Sequence, residues 1–351
     1  MVKIDMISKI ENWIFSFSDK KFYSVLLIIV LMKNGIHPIG SDWISWVYKA
    51  GQDFPEPTSY LSYSLIPVML SKLFAFPGYL TWWVFFAILT ILFYFYIYFS
   101  IRRLAGQNSK KIFIVFFSLS LAVSPLYYIG HYDLFTIFAG VLAATTRSKL
   151  VVFIAALFAV GANPEQAMIT SLCVLIFAYA TNEQFSKFIA RTWTVVSFVS
   201  YVLIKLLIGQ GDDGSRLRII LAQMKDVSLD SLGKLNFILF SVFGVGWIFI
   251  IIGFAVINKI KNSKLIVLSS VVVPVLFAIV ILDRTRVGVA IGTLPILLFL
   301  KYISINIKMD SISNRFFTQV LLVYLFIPQV FIDYDGTLRL PYSEFIKHFI
   351  V

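Results

Sequence analysis

The chain is poor in cysteine, in histidine and in charge, and each shortage removes a class of protein. A single cysteine, Cys173, in 351 residues leaves no intrachain disulfide to form. The three histidines, His37, His131 and His348, are too scattered along the sequence to argue for a metal site. Charged residues make up 14% of the chain, whereas a soluble globular domain keeps roughly 25%. No short internal repeat, no low-complexity segment and no second soluble domain stands out. The apolar run from Ile10 to Phe17 is too short for a signal sequence, and no small-residue cleavage site follows it, so no cleavable leader is expected there.

What is present is apolar. Hydrophobic residues form 59% of the chain and the mean hydropathy is +0.88. That balance predicts an all-α polytopic membrane protein, because only helices or closed barrels satisfy their backbone groups in lipid. The net charge of +12 superficially suits nucleic acid. The excess, however, lies in Lys/Arg clusters within short loops, the pattern of the positive-inside rule. No nucleic-acid partner is expected; membrane lipids are.

About eleven apolar segments can be marked off, near 22–36, 79–100, 112–129, 134–146, 150–162, 167–180, 192–209, 236–257, 265–282, 287–303 and 316–332. The gaps between them alternate in character. Those assigned to the inside hold eighteen of the 30 Lys+Arg, Lys301 included, and five of the 18 Asp+Glu. Those assigned to the outside hold the other thirteen acidic residues and all three histidines. The alternation predicts a cytoplasmic N-terminus and a C-terminus on the outer face. Residues 1–21 place Ile4, Ile7, Ile10, Ile14 and Phe17 at helical spacing, as in an amphipathic helix on the inner surface. The whole chain, 1–351, reads as one integral membrane domain with two long outer segments, 37–78 and 210–235.

The segments near 22–36, 134–146 and 150–162 are short, since a straight helix needs roughly 20 residues to cross the hydrocarbon. Either their helices continue through the adjoining polar residues, or the turns at 130–133 and 163–166 dip below the outer surface. Both readings bring His131, Asp133 and Glu165 to the mouth of a cavity.

The outer segments carry the chemistry. The first holds Asp42 between Ser41 and Trp43, then Trp46, Asp53, Glu56, Tyr60 and Tyr63. Its tail from Tyr60 to Phe74 has helical apolar spacing and predicts a helix lying on the outer membrane surface. Asp42 is a candidate catalytic carboxylate or a helix N-cap. Trp43 is an interface anchor or a platform for a sugar ring. Asp283-Arg284-Thr285-Arg286 opposes the positive-inside bias, and its guanidinium groups are candidates for a phosphate clamp. They serve equally as partners for outer carboxylates or lipid headgroups. Arg216 and Arg218 follow Gly211-Asp212-Asp213-Gly214 in the second long outer segment and are either solvated charges or contacts to phosphate or acceptor. The aspartate pair there is a weak divalent-cation signal. Lys205, inside an apolar run, either snorkels outward or serves a buried role.

An acidic residue early in the first outer segment, followed by a surface helix behind a Pro/Tyr-rich stretch, resembles the GT-C glycosyltransferases. The turn Gly130-His131-Tyr132-Asp133 before a short span, with Asn163-Pro164-Glu165-Gln166 one hairpin later, is similar to polar turns in several GT-C families. This chain carries Asn163 and Glu165 where a lysine is often seen. The resemblance covers roughly residues 20–185 in layout. It implies an enzyme that uses a sugar carried on a polyprenyl phosphate. Asp42 stands at the position of the catalytic acid. Asp133 is a second catalytic candidate, and His131, Glu165, Arg284, Arg286, Tyr60, Trp43, Arg216 and Arg218 are candidates for binding donor or acceptor.

The implied chemistry is simple. A glycosyl phosphate has a good leaving group, so one carboxylate must take the proton of the acceptor hydroxyl and cations must hold the departing phosphate. No cofactor is required. The size suits transfer of a single sugar to a lipid-linked glycan or other outer-face acceptor, in a bacterial inner membrane with the site facing outward. A polymerase or ligase of lipid-linked polysaccharide and a transporter or lipid flippase remain alternative readings.

Overall fold

The computed structural model describes residues 2–36, 41–54, 63–74, 79–208, 227, 230–258, 260–281, 284–306, 312–332 and 338–339. His37, Tyr60, Asp212, Asp213, Arg216, Arg218 and Asp283, all singled out above, lie outside them. Among the described residues, five helical stretches are long and apolar enough to cross a membrane: Leu80–Ser118, Gln184–Ile208, Leu235–Ile257, Ser263–Val280 and Arg284–Ile305. The protein is therefore a helical integral membrane protein, with almost no sheet beyond a two-residue pairing of β1 (Phe331–Ile332) with β2 (Leu338–Arg339).

Helices cover each predicted apolar segment. In chain order they are α1 (Val2–Ser16), α2 (Asp19–Asn34), α3 (Ser41–Asp53), α4 (Leu65–Phe74), α5 (Tyr79–Ala105), α6 (Ser109–Ser118), α7 (Ser124–Tyr127) and α8 (Asp133–Thr145). There follow α9 (Lys149–Ala162), α10 (Pro164–Thr181), α11 (Gln184–Ile208), α12 (Leu235–Phe243), α13 (Trp247–Ile257), α14 (Ser263–Val280), α15 (Arg284–Asn306) and α16 (Asn314–Phe326). One continuous apolar core joins most of them.

Leu80–Ser118 is not a single span. At 1.5 Å per residue, a straight helix of that length would reach about 58 Å, well beyond a bilayer. A 3-10 turn at Gly106–Asn108 folds it into a hairpin instead. Phe93 faces Phe116 and Tyr98 faces Phe113, with ring centroids 6.5 and 6.0 Å apart, so α5 and α6 run antiparallel.

Two apolar segments are broken in mid-course. One passes from α6 through extended Leu119 and a 3-10 turn to α7. The other breaks at Gly244, between α12 and α13. The two breaks meet. Gln329, just past α16, donates from Nε2 to Ser120 Oγ at 2.6 Å and to Ser241 O at 3.3 Å. Gly244 sits at φ +60°, ψ −146°, a region that is essentially glycine's alone. A Cβ there would stand 2.7 Å from Gln329 Oε1 and 3.0 Å from Ser118 O.

The short segments stay short. With 13 residues α8 spans about 20 Å and with 14 residues α9 about 21 Å. The polar turns beside them end the helices rather than extending them. Asn163 is extended and caps α10, its Oδ1 accepting from Gln166 N at 3.2 Å, while Pro164 occupies the first helical turn.

α8 and α15 form the pair that positions the candidate site. Asp133 meets Arg286, Gly140 meets Thr293, and Ala144 meets Lys301. The two helices therefore run parallel and in register. A Cβ on Gly140 would lie 3.0 Å from Thr293 Cγ2 and 3.2 Å from Leu294 N, so glycine is what lets the backbones approach. One end of this pair carries Asp133 and Arg286, and the other carries Arg147 and Lys301.

The first outer segment departs from expectation. It is not a loop with one surface helix but two packed helices. α3 buries Ile44, Val47 and Ala50 and leaves Trp46 exposed. Ser71 Oγ of α4 reaches Val47 O at 3.4 Å. α4 in turn rests on α9, where Ile66 crosses Gly161. The helix α3 begins at Ser41, so Asp42 stands inside its first turn instead of capping it.

Candidate functional site

The turn before α8 is built rigidly. Gly130 has φ +98° and its carbonyl accepts from Trp82 Nε1 of α5 at 2.8 Å. His131 N donates to Tyr128 O at 3.0 Å, which closes the turn and delivers Asp133 to the first turn of α8. Carboxylates are favoured there by the helix dipole. Asp133 is 3% exposed and His131 4%.

A carboxylate so deeply buried needs positive partners. Arg286 Nε lies 3.2 Å from Asp133 Oδ2, and His131 Nδ1 lies 3.2 Å from the same oxygen. Nδ1 is also 3.3 Å from the Asp133 backbone N–H. One nitrogen cannot donate to the carboxylate and accept from the amide in the same state. Here Nδ1 accepts from the Asp133 amide and lies beside the carboxylate, which fixes the ring against the start of α8.

Trp43 covers this cluster. Its ring centroid lies 4.4 Å from that of His131 and 5.3 Å from that of Tyr132. Asp42 is the next residue on α3, so the contact brings its backbone to the same place. The candidates Trp43, His131, Asp133 and Arg286, with the backbone of Asp42, thus converge on one corner, although they come from three distant stretches of chain.

Arg284 and Arg286 do not close on one ligand as a joint clamp. Two residues apart on a helix means about 200° of rotation, so the side chains diverge. Arg286 turns to Asp133. Arg284, 2% exposed, donates from Nη2 to Asp230 Oδ2 at 2.6 Å. Its Nε and Nη1 have no hydrogen-bond partner among the described residues. Thr285 between them accepts from Ile332 N at 2.9 Å and ties the chain after α16 to the start of α15. The Asp230 carboxyl is held below the usual aspartate range, first by its hydrogen bond with Lys234 and then by Arg284.

Glu165 belongs to a neighbouring group. It stands in the first turn of α10 and acts electrostatically on Tyr201 of α11, as does Tyr63. Lys205 lies over the Tyr63 ring, 3.5 Å from its centroid, and 5.6 Å from that of Tyr201. The first outer segment therefore gives an aromatic ring to each group, Trp43 of α3 to one and Tyr63, just before α4, to the other. Among the described residues, no group of three or more His, Cys, Asp or Glu is arranged to hold a metal ion.

Two participants were not singled out in the sequence: Asp230 anchors Arg284 and Trp82 fixes the Gly130 turn. A third buried polar group, Lys33, is 4% exposed at the end of α2, donating to Tyr324 O with its ammonium 3.8 Å from the Tyr324 ring centroid. Lys33 carried a readable signal, since it is a basic residue at the acidic end of an apolar segment, as Arg284 is. Trp82 carried none, because its role depends on a contact 48 residues away.

No protein-family model, curated protein or solved structure matches the chain.

Proposed function

We propose that this protein is an inverting glycosyltransferase that moves a single sugar from a polyprenyl-phosphate carrier to a lipid-linked glycan or other acceptor at the outer face of the membrane. The observation that carries the reading is the buried Asp133–His131–Arg286 cluster, capped by Trp43 on the helix that bears Asp42. A carboxylate, a cation and a flat aromatic surface at one corner, beside the helix that carries a second aspartate, are the groups this reaction uses.

In the proposed step the acceptor hydroxyl loses its proton to Asp42. Its oxygen bonds to the anomeric carbon as the bond from that carbon to the phosphate oxygen breaks, and the carrier leaves as its phosphate. Asp133 is already engaged by Arg286 and His131, which suits it to orienting a sugar rather than to taking the proton. Arg284, with two nitrogens of its guanidinium unbonded among the described residues, is the better cation for the leaving phosphate. The single cysteine and the compact size favour a bacterial inner membrane, and the charge pattern favours this end facing outward.

The test is transfer of radiolabelled sugar from a panel of polyprenyl-phosphate donors to a lipid extract from the source, by protein in lipid. Wild type transfers label and Asp42→Asn does not, while folding equally. Full activity in Asp42→Asn removes Asp42 as the base, and no transfer from any donor removes the reading.

One observation favours a second reading, a transporter or lipid flippase. Broken helices that meet inside the bundle, as α6–α7 and α12–α13 do at Gln329, are a feature of transporter sites. Substrate accumulation in liposomes without chemical change would select it.

A further inference from the structure

At the other end of the α8–α15 pair lies a cavity of about 650 Å³ between α5, α6, α8, α13, α15 and α16. It is within the range of small-molecule sites, roughly 300–1,000 Å³. Its walls are largely apolar, with Leu119, Val141, Phe249 and Leu297 at depth, and along α15 it runs from Leu297 to Ile305, about 12 Å. Its polar groups gather at one end, where Arg147 and Lys301 both line it. Lys301 Nζ donates to Ala144 O at 3.2 Å, and Arg103 donates to Thr145 O at 3.4 Å. These bonds satisfy the last carbonyls of α8. Arg147 has no such role: it makes no hydrogen bond or ion pair among the described residues. Glu183 is the nearby counter-charge and acts on Lys301. Arg147 and Lys301 line the cavity and Glu183 does not, which leaves the mouth positive.

We propose that this cavity binds an anionic phospholipid, an acyl chain filling the apolar slot and the phosphate resting against Arg147 and Lys301. The site stands apart from the Asp133 cluster by the length of α8, about 20 Å, and does not depend on the proposed reaction. An apolar slot alone would take any acyl chain. The paired cations at its mouth are what select a negative headgroup, since juxtamembrane basic residues attract anionic lipid.

The test is native mass spectrometry of the full chain exchanged from detergent into equal palmitoyl-oleoyl phosphatidylglycerol and phosphatidylcholine. Phosphatidylglycerol is expected to be retained up to about thirtyfold over phosphatidylcholine, the scale that two cations at about 1 kcal/mol each support. Arg147→Gln with Lys301→Gln should abolish the preference. Ser304→Trp, which blocks the mouth of the slot without changing charge, should abolish retention itself. Equal retention of both lipids by wild type means annular lipid only and overturns the proposal. Undiminished phosphatidylglycerol retention in Ser304→Trp means surface attraction only and overturns it as well. Protection of buried Cys173 from thiol labelling verifies that each variant is folded. The wild-type comparison decides the matter even if a variant fails to fold.

Discussion

Asp133→Asn should destabilise the fold in a way that Arg286 can explain. The carboxylate is 3% exposed and the Arg286 side chain 13%, with 3.2 Å between Nε and Oδ2. Removing one member of a buried pair leaves the other charge uncompensated, which costs about 3–5 kcal/mol. Arg286 keeps a little access to solvent, so the lower figure, about 3 kcal/mol, applies. Cys173 is the reporter for this measurement. It is the chain's one thiol, fully buried, and its cluster includes Val287, the residue after Arg286. Where opening equilibrates faster than labelling, the labelling rate follows the population of the open form. A loss of about 3 kcal/mol should then speed labelling more than a hundredfold. Arg286→Gln should do likewise, and the double variant Asp133→Asn/Arg286→Gln should lose less than the two single changes together, with a coupling of about 1–3 kcal/mol. If the single losses add to within about 0.5 kcal/mol, the two residues do not act as a pair and the site as described is wrong.

Asp230 supplies a pH dependence. Its folded pKa is lowered by Lys234 and Arg284, so its ionised form stabilises the fold at neutral pH. That contribution disappears as pH falls below the ordinary value of 3.8 and through the lowered folded one. The difference in melting temperature between wild type and Asp230→Asn should shrink across that acid window; a constant difference would refute the linkage. Gly244→Ala should lower stability by about 1–3 kcal/mol from backbone strain alone. Its Cβ would also press on Gln329 Oε1 at 2.7 Å, and wild-type thiol protection in that variant would refute the described break.

Hydropathy located the apolar helix-bearing segments, because burying or exposing apolar surface to lipid is a local property of twenty or so residues. It did not show where those segments break. Leu119 and Gly244 interrupt runs whose few serines and glycines do not lower the hydropathy enough to mark a break, and Gln329, far along the chain, joins the two interruptions. Nor did it show α3 as a helix, since Trp43, Trp46 and Tyr48 read as interface aromatics and the apolar stripe Ile44–Val47–Ala50 is short. The candidate residues themselves were legible from charge on the less basic side. Their pairing was not: Asp133 and Arg286 are 153 residues apart, and only the parallel register of α8 with α15 brings them together. The same register separates Arg284 from Arg286, which adjacency in sequence had suggested would act together.

The Gln329 contact also sets an order on biogenesis. The polar breaks near Ser118–Ser120 and at Gly244 are synthesised and inserted long before the residue that satisfies them. Until α16 and the segment behind it arrive, Ser120 Oγ and Ser241 O lack the Gln329 amide that they meet in the finished bundle, in an environment without water. The bundle is therefore sealed by its last span. A chain halted before Gln329 would present two exposed polar notches to lipid, a ready signal for membrane quality control to separate unfinished copies from finished ones.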